Sequence, residues 1–248
     1  MKFLLFTAVC LALNVGISAI DVAIKNEDGT SPQYCILFEG NVTGSIEYEV
    51  ENSTKTFNFE VDENSVNVSG TCVDVQQNVS VQAFSVDFLP KGAPVNVQQW
   101  KLSVQFAHDE QKTFKLSALS LFSVLPEAWN STDKTVKYVL DSADEMWDAT
   151  DRNGFTCSES PFYLKQKSAS PALKSTVKFE KVRVLAFARL PTPVFPKDQI
   201  FEQCNLDTKT SDVVPIVVGA CLAGLVIVVL VAYLIGRARA RRQGYASV

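Results

Sequence analysis

Hydrophobic and polar residues alternate through most of the chain between residues 35 and 190. Trp100, Leu102, Val104 and Phe106 fall on one parity, and Gln99, Lys101, Ser103 and Gln105 on the other. Phe57, Phe59 and Val61 alternate in the same way with Asn58 and Glu60. A period of two is that of a strand with one buried face. The phase changes twice. Val79, Val81 and Ala83 give way to Phe84, Val86 and Phe88, and a second change falls between Phe179 and Val182. A one-residue change of phase predicts a β-bulge or a bend. The pattern predicts roughly nine strands in this region and no long amphipathic helix. A short turn of helix is expected around residues 196–203, where Pro191, Pro193 and Pro196 break any strand.

Two apolar runs do not alternate. The first extends from Phe3 to Leu13, behind Lys2, and ends in small and polar residues up to Ala19. Charge, then apolar core, then small residues is the order of a signal peptide, and about 11 apolar residues are too few to cross a bilayer. Cleavage is expected after Ala19, or after Ser18 with Gly16 two residues before it. Asn14 interrupts the run and no stop-transfer charges follow, which disfavours an uncleaved anchor. The second run, Val213 to Ile235, has no charged residue. About 23 residues at 1.5 Å each make a helix of about 34 Å, enough to span a bilayer with some tilt. Its length and the abrupt change to Arg237, Arg239, Arg241 and Arg242 exclude the core helix of a soluble protein. Cationic flanks mark the cytoplasmic side. The organisation expected is a signal peptide (1–19), a lumenal domain (20–212), a transmembrane helix (213–235) and a cytoplasmic tail (236–248), the order of a single-pass type I membrane protein.

Charge sharpens this division. Lys2 and the four tail arginines leave 18 of the 23 basic residues in the lumenal part, against all 27 acidic ones, so that part carries nine net negative charges. Such a surface suits neither nucleic acid nor anionic lipid. The arginines beside the span are explained by topology and by contact with anionic headgroups. Four cysteines lie in the lumenal part: Cys35, Cys72, Cys157 and Cys204. An even number in an oxidising compartment reads as two disulfides, and four cysteines allow three pairings. With no Cys-x-x-Cys and a single histidine, no metal site and no cofactor are expected.

Five Asn-x-Ser/Thr sequons start at Asn41, Asn52, Asn67, Asn78 and Asn130, none with proline at the middle position. One tripeptide is weak evidence; five before the span and none after it predict an N-glycosylated lumenal domain. Each occupied site must face solvent. There is no internal repeat and no Pro/Ser/Thr-rich stalk.

The tail ends Gly244-Tyr245-Ala246-Ser247-Val248. An extended tail can add to an exposed strand edge of a clathrin adaptor medium subunit. Tyr245 would fill one pocket and Val248 a second, while Gly244 leaves the approach open. Near the end of so short a cytosolic segment, this Tyr-x-x-Φ pattern predicts a sorting signal. A PDZ ligand is disfavoured by Ala246 at the third position from the end. In the span, Gly219 and Ala223, and Ala220 and Gly224, have the small-xxx-small spacing that permits close helix contact and a homo-oligomer. Ordinary membrane-helix composition accounts for the same residues.

No catalytic constellation emerges, and the chain is not expected to be an enzyme. His108, beside Asp109 and Glu110, reads as a surface loop histidine, and no Gly-x-Ser-x-Gly elbow accompanies it. Asp141, Asp144, Glu145, Asp148 and Asp151 form an acidic run, but Arg152 stands where a calcium loop needs an oxygen ligand.

Several motifs together resemble a known family. Tyr34-Cys35-Ile36-Leu37-Phe38, with Ile46 and Tyr48 further on, is similar to the first signature of the lysosome-associated membrane glycoproteins. Gly154-Phe155-Thr156-Cys157-Ser158-Glu159, followed by Phe162-Tyr163-Leu164, resembles the pattern of the second half of their domain. Cys204-Asn205-Leu206-Asp207, Val213-Val214-Pro215-Ile216, Gly219, Gly224, Ala232-Tyr233 and Gly244-Tyr245 follow their membrane signature. Phe38 replaces the small residue common in the first signature, and one lumenal domain stands in place of two joined by a proline-rich hinge. The resemblance implies an all-β lumenal domain of β-prism-like form, with Cys35 paired to Cys72 and Cys157 to Cys204. It implies a structural glycoprotein of the lysosomal and late endosomal limiting membrane, transiting the cell surface and sorted by its tail. Two other roles are compatible with the same layout: a partner that sorts another membrane protein into endosomal or synaptic vesicles, and a cell-surface adhesion or ligand-binding receptor.

Overall fold

A computed structural model describes residues 19–26, 33–51, 53–76, 79–94, 97–108, 112–141, 147–167, 172–208 and 213–244. The chain divides into two units, one ending at Asp207 and one beginning at Thr208. The first is built of twelve strands: β1 (Ile20–Asn26), β2 (Gln33–Val50), β3 (Ser53–Glu60), β4 (Asn67–Gln76), β5 (Val79–Phe88), β6 (Trp100–His108), β7 (Thr113–Val124), β8 (Thr135–Leu140), β9 (Asp148–Thr150), β10 (Gly154–Gln166), β11 (Lys174–Leu185) and β12 (Phe201–Gln203). A four-residue helix, α1 (Asn205–Thr208), follows, and then the long helix α2 (Val213–Gly244).

One sheet contains all twelve strands, in the order β1-β2-β11-β10-β8-β7-β6-β5-β4, with β3 on β2, β9 on β7 and β12 on β10. β10 and β12 run parallel; the other pairs are antiparallel. The sheet curls until its ends nearly meet. A Cβ on Gly70 of β4 would lie 2.8 Å from Ile24 Cδ1 of β1 and 2.5 Å from the Ala83 carbonyl oxygen of β5, and it is the backbone clash that calls for glycine here. Near-closure removes most of the open edge that an extended sheet would expose to aggregation.

The alternating residues turn inward as their pattern requires. Trp100, Leu102, Val104 and Phe106 are buried, and so are Phe59 and Val61. Trp147 sits among Phe38, Phe106, Phe155, Phe162 and Phe179 at ring-centroid distances of 4.9–6.5 Å. Its indole N–H donates to Ser160 Oγ at 3.0 Å, and that of Trp100 donates to the Val124 carbonyl at 2.8 Å. Both large rings are thus buried with their polar atoms satisfied, which a buried tryptophan requires.

The phase change after Phe179 is a bulge in β11. Glu180 faces Asn41 and Arg183 faces Glu39, three steps against two, and Lys181 takes φ +54°. The change at residues 83–84 has another origin. β5 pairs with β6 without a break from Val81 to Phe88, and the extra residue lies in β4, between Thr71 and Asp74. Val81 and Gln82 are both buried although neighbouring strand residues face opposite ways, and this blurred the sequence pattern. The helical turn expected at 196–203 is replaced by β12, which pairs with Gly154, Phe155 and Thr156. Its strand pairing overrides the weak local preference.

Candidate functional site

Two crosslinks define the first unit, and local strand defects position one of them. Ile36 faces Ile24 and Tyr34 faces Lys25, so Cys35 is an extra residue in β2 with no partner in β1. Cys72 occupies the matching irregularity of β4. A bulge re-aims side chains, and here both cysteines become buried, 5 % and 8 % exposed. They are bonded, with Cα atoms 5.6 Å apart, inside the usual range. This disulfide joins β2, beside one end of the strand path, to β4 at the other.

The second disulfide, Cys157–Cys204, has its Cα atoms 5.2 Å apart. It holds the segment after β12 against β10. Cys204 N donates to the Thr156 carbonyl at 3.0 Å, and Ser158 N to Asp207 Oδ2 at 2.8 Å. Both pairings are those that the family resemblance implied. Cys157, Cys204 and Asp207 come within metal-ligand spacing of one another, but the bonded sulfurs offer no thiolate.

Glu202 of β12 supplies a clasp that no sequence motif announces. Its Oε1 accepts from Thr150 N at 3.0 Å, Thr150 Oγ1 at 2.9 Å and Asn153 Nδ2 at 3.0 Å. The Thr150 backbone bond, aided by the Asn153 and Thr150 side chains, holds the carboxyl below its ordinary value against the opposing effect of burial. No local sequence signal points to Glu202, because its partners lie about 50 residues before it in the chain.

The sequon asparagines fall in different settings. Asn67 opens β4 and is exposed; Asn130 is exposed in a left-handed turn at φ +49°. Asn41 is only 2 % exposed, on β2, and neither polar atom of its amide has a partner. A sugar on Asn41 therefore requires the outer face of β2 to be open when it is attached. Asn52 and Asn78 lie outside the described residues, as does the expected signal peptide up to residue 18.

His108 ends β6, its Nε2 3.8 Å from an Asp151 carboxylate oxygen, beyond hydrogen-bond reach. Its ring centroid lies 5.0 Å from that of Phe187. Of the acidic run, Asp141 pairs with Lys165, Asp148 is exposed on β9, and Asp144 and Glu145 lie outside the described residues. The described acids are dispersed rather than gathered into one site.

The second unit is α2. Its apolar part, Ile216–Arg237, has 22 residues, about 33 Å at helical rise, slightly more than a bilayer core of about 30 Å. The helix does not stop at the expected boundary of 235 but continues through the arginines to Gly244. A charged continuation costs no backbone hydrogen bond, so hydrophobicity alone does not reveal where the helix ends. Tyr245 and Val248 lie outside the described residues.

Comparison with known proteins bears on both units. Residues 214–246 match the family described as lysosome-associated membrane glycoprotein 2, transmembrane segment. Lysosome-associated membrane glycoprotein 1 of Homo sapiens is 28% identical over 224 residues, which is 90% of this chain and 47% of that protein. The chain therefore spans about half the length of this curated relative. Among solved structures, human lysosome-associated membrane protein LAMP-3 aligns with a TM-score of 0.52 and 16% identity, over 76% of this chain and 100% of that one. The membrane-proximal domain of mouse lysosome-associated membrane protein 1 aligns with a TM-score of 0.51 and 19% identity, over 77% of this chain and 98% of that one. At these identities the structures share a fold with the twelve-stranded unit.

Proposed function

The chain belongs to the lysosome-associated membrane glycoprotein family, and from that premise we propose that it is a structural glycoprotein of the lysosomal and late endosomal limiting membrane. It is an integral protein with one apolar span. The crosslinked β unit lies on the lumenal side, where its sugars and disulfides shield the polypeptide from hydrolases and help to cover the bilayer. Glycans occupy Asn67 and Asn130, the two exposed sequons among the described residues. The short tail carries the address: Tyr245 and Val248, preceded by Gly244, engage the medium subunit of a clathrin adaptor and so retrieve the protein from the cell surface. Its work is physical rather than catalytic. Small-xxx-small pairs in the span allow copies to associate, so that the coat becomes denser.

The observation that carries this reading is the family match over residues 214–246, which runs from the apolar span into the tail. It supports the view that span and tail act together as an anchor with a signal. The test is Tyr245→Ala in the full chain, tagged within the lumenal part. The variant should accumulate at the cell surface severalfold over the wild type and leave compartments stained by a lysosomal dye. Unchanged surface labelling would refute the sorting role, and a wild-type protein absent from acidic compartments would refute the location.

A further inference from the structure

The seam closed by Cys35–Cys72 borders a cavity of about 600 Å³, within the range of small-molecule sites. Its charge runs against that of the domain. Although the lumenal part has nine more acids than bases, the cavity is lined by Arg152, Arg189 and His108, with Asp151 as the one carboxylate among the described residues. Neither guanidinium makes an ion pair or a side-chain hydrogen bond with another described residue, whereas Arg183 pairs with Glu39 at 3.2 Å and covers the rings of Phe195 and Phe201. Two arginines that pair with no other described residue and line one cavity concentrate positive potential there.

One residue of the lining is held under strain. Phe187 takes φ +57°, a conformation costly for a bulky residue. It is fixed there by Gln82, whose Oε1 accepts from Phe187 N at 2.7 Å. Gln82 is itself only 5 % exposed, so its amide serves this contact rather than solvent. The result is a fixed aromatic ring, beside that of His108, in a cavity that Arg152 and Arg189 also line.

We propose that this cavity binds a small carboxylate-bearing organic anion. Arg152 and Arg189 would grip the carboxylate in the bidentate geometry that suits guanidinium, with the apolar part of the ligand against Phe187. Ser80 lines the same cavity but makes no hydrogen bond to His108, so binding and not hydrolysis is the chemistry inferred. The carboxylate can come from a free organic acid or from an acidic sugar, and citrate and N-acetylneuraminate represent the two sources.

The experiment is isothermal titration of each probe into the full chain in detergent micelles at pH 7 and low salt. At least one probe should bind, and the one that does identifies the source. Arg152→Ala and Arg189→Ala should each weaken binding about tenfold, while Asp151→Asn, which removes the opposing carboxylate, should tighten it severalfold. Lys91→Ala, a surface cation paired with Glu60 and absent from the cavity lining, should leave it unchanged. Thermal midpoints of all variants report that they remain folded. No binding of either probe at millimolar concentration would overturn the proposal, and so would equal weakening by Lys91→Ala, which would mean diffuse charge attraction only.

Discussion

Replacing Cys35 and Cys72 together by alanine tests whether the seam disulfide does more than constrain the unfolded chain. It bridges a sequence separation of 37 residues, and loop closure of that length is worth about 4 kcal/mol in the chain-entropy model. For a domain of this size each kcal/mol moves the thermal midpoint by about 2–4 °C, so the double variant should melt about 8–16 °C lower. The second disulfide provides an internal control. Its separation is 47 residues, for which loop entropy again gives about 4 kcal/mol. Cys157→Ala with Cys204→Ala should therefore lower the midpoint by a similar amount. The structural consequences should differ. Cys35 and Cys72 join opposite ends of the strand path, whereas Cys157 and Cys204 tie a short segment to β10. Amide hydrogen exchange of the full chain in detergent should show lost protection along β1 and β4 only in the first variant, and along β12 only in the second. If the first variant melts as expected but keeps native protection in β4, then packing such as Gly70 on Ile24 closes the seam, and the argument from topology fails. A midpoint shift under about 3 °C would refute the magnitude itself.

Two further predictions follow from single residues. Glu202→Ala removes one acceptor from three donors at a half-exposed site, which should cost about 1–2 kcal/mol after solvent screening, read as a fall in midpoint of a few degrees. Because the folded carboxyl titrates below its ordinary value of 4.5, its stabilisation is fully present above that pH and is lost as pH falls through the lowered value. The gap between wild type and variant should thus be equal at pH 7 and pH 5 and narrow only in stronger acid; narrowing already at pH 6 would contradict the clasp. Asn67→Gln and Asn130→Gln should each remove one glycan-sized step of mobility on a denaturing gel. Asn41→Gln should remove none, given its 2 % exposure; a full step there would mean that β2 carries sugar added before its outer face was covered.

Much of the architecture was legible because period-two burial writes itself directly into sequence. The inward residues of β6 and the presence of an apolar span follow from hydrophobicity alone. The bulge at Lys181 also left a trace, since inserting one residue inverts every later side chain. The bulge at Cys35 left none: its flanks, Ile36 to Phe38, are apolar on both parities, so no phase could be assigned. β12 was hidden for another reason. Three residues bounded by proline-rich chain have no periodicity, and their strand character comes from pairing with Gly154–Thr156. Among the candidate functional residues, cysteines, sequons and the terminal tyrosine carry local signatures. The Glu202 clasp and the arginine-lined cavity do not, because each joins side chains from segments far apart in sequence.

The distribution of charge explains how one fold can serve in an acidic, hydrolase-rich space. Among the described residues, the buried polar side chains are Asn41, Gln82, Ser123, Ser160 and Ser175; none of these ionises, and Tyr138 is pushed further toward its neutral form by burial. No carboxylate, lysine or histidine in the described interior must therefore change charge as pH falls. The ion pairs of Lys91 with Glu60 and of Lys178 with Glu159 and Glu180 are at the surface, where each is worth about 0–1 kcal/mol. Protonation of other surface acids lowers a net negative charge that opposes compaction. What remains to hold the sheet closed is aromatic packing and the Cys35–Cys72 bond, neither of which titrates in that range. Proteases cleave the fraction of molecules that open, so cleavage falls as opening becomes less favourable. The crosslink that closes the β unit thus also limits its digestion, without any need for the sugars to be continuous over its surface.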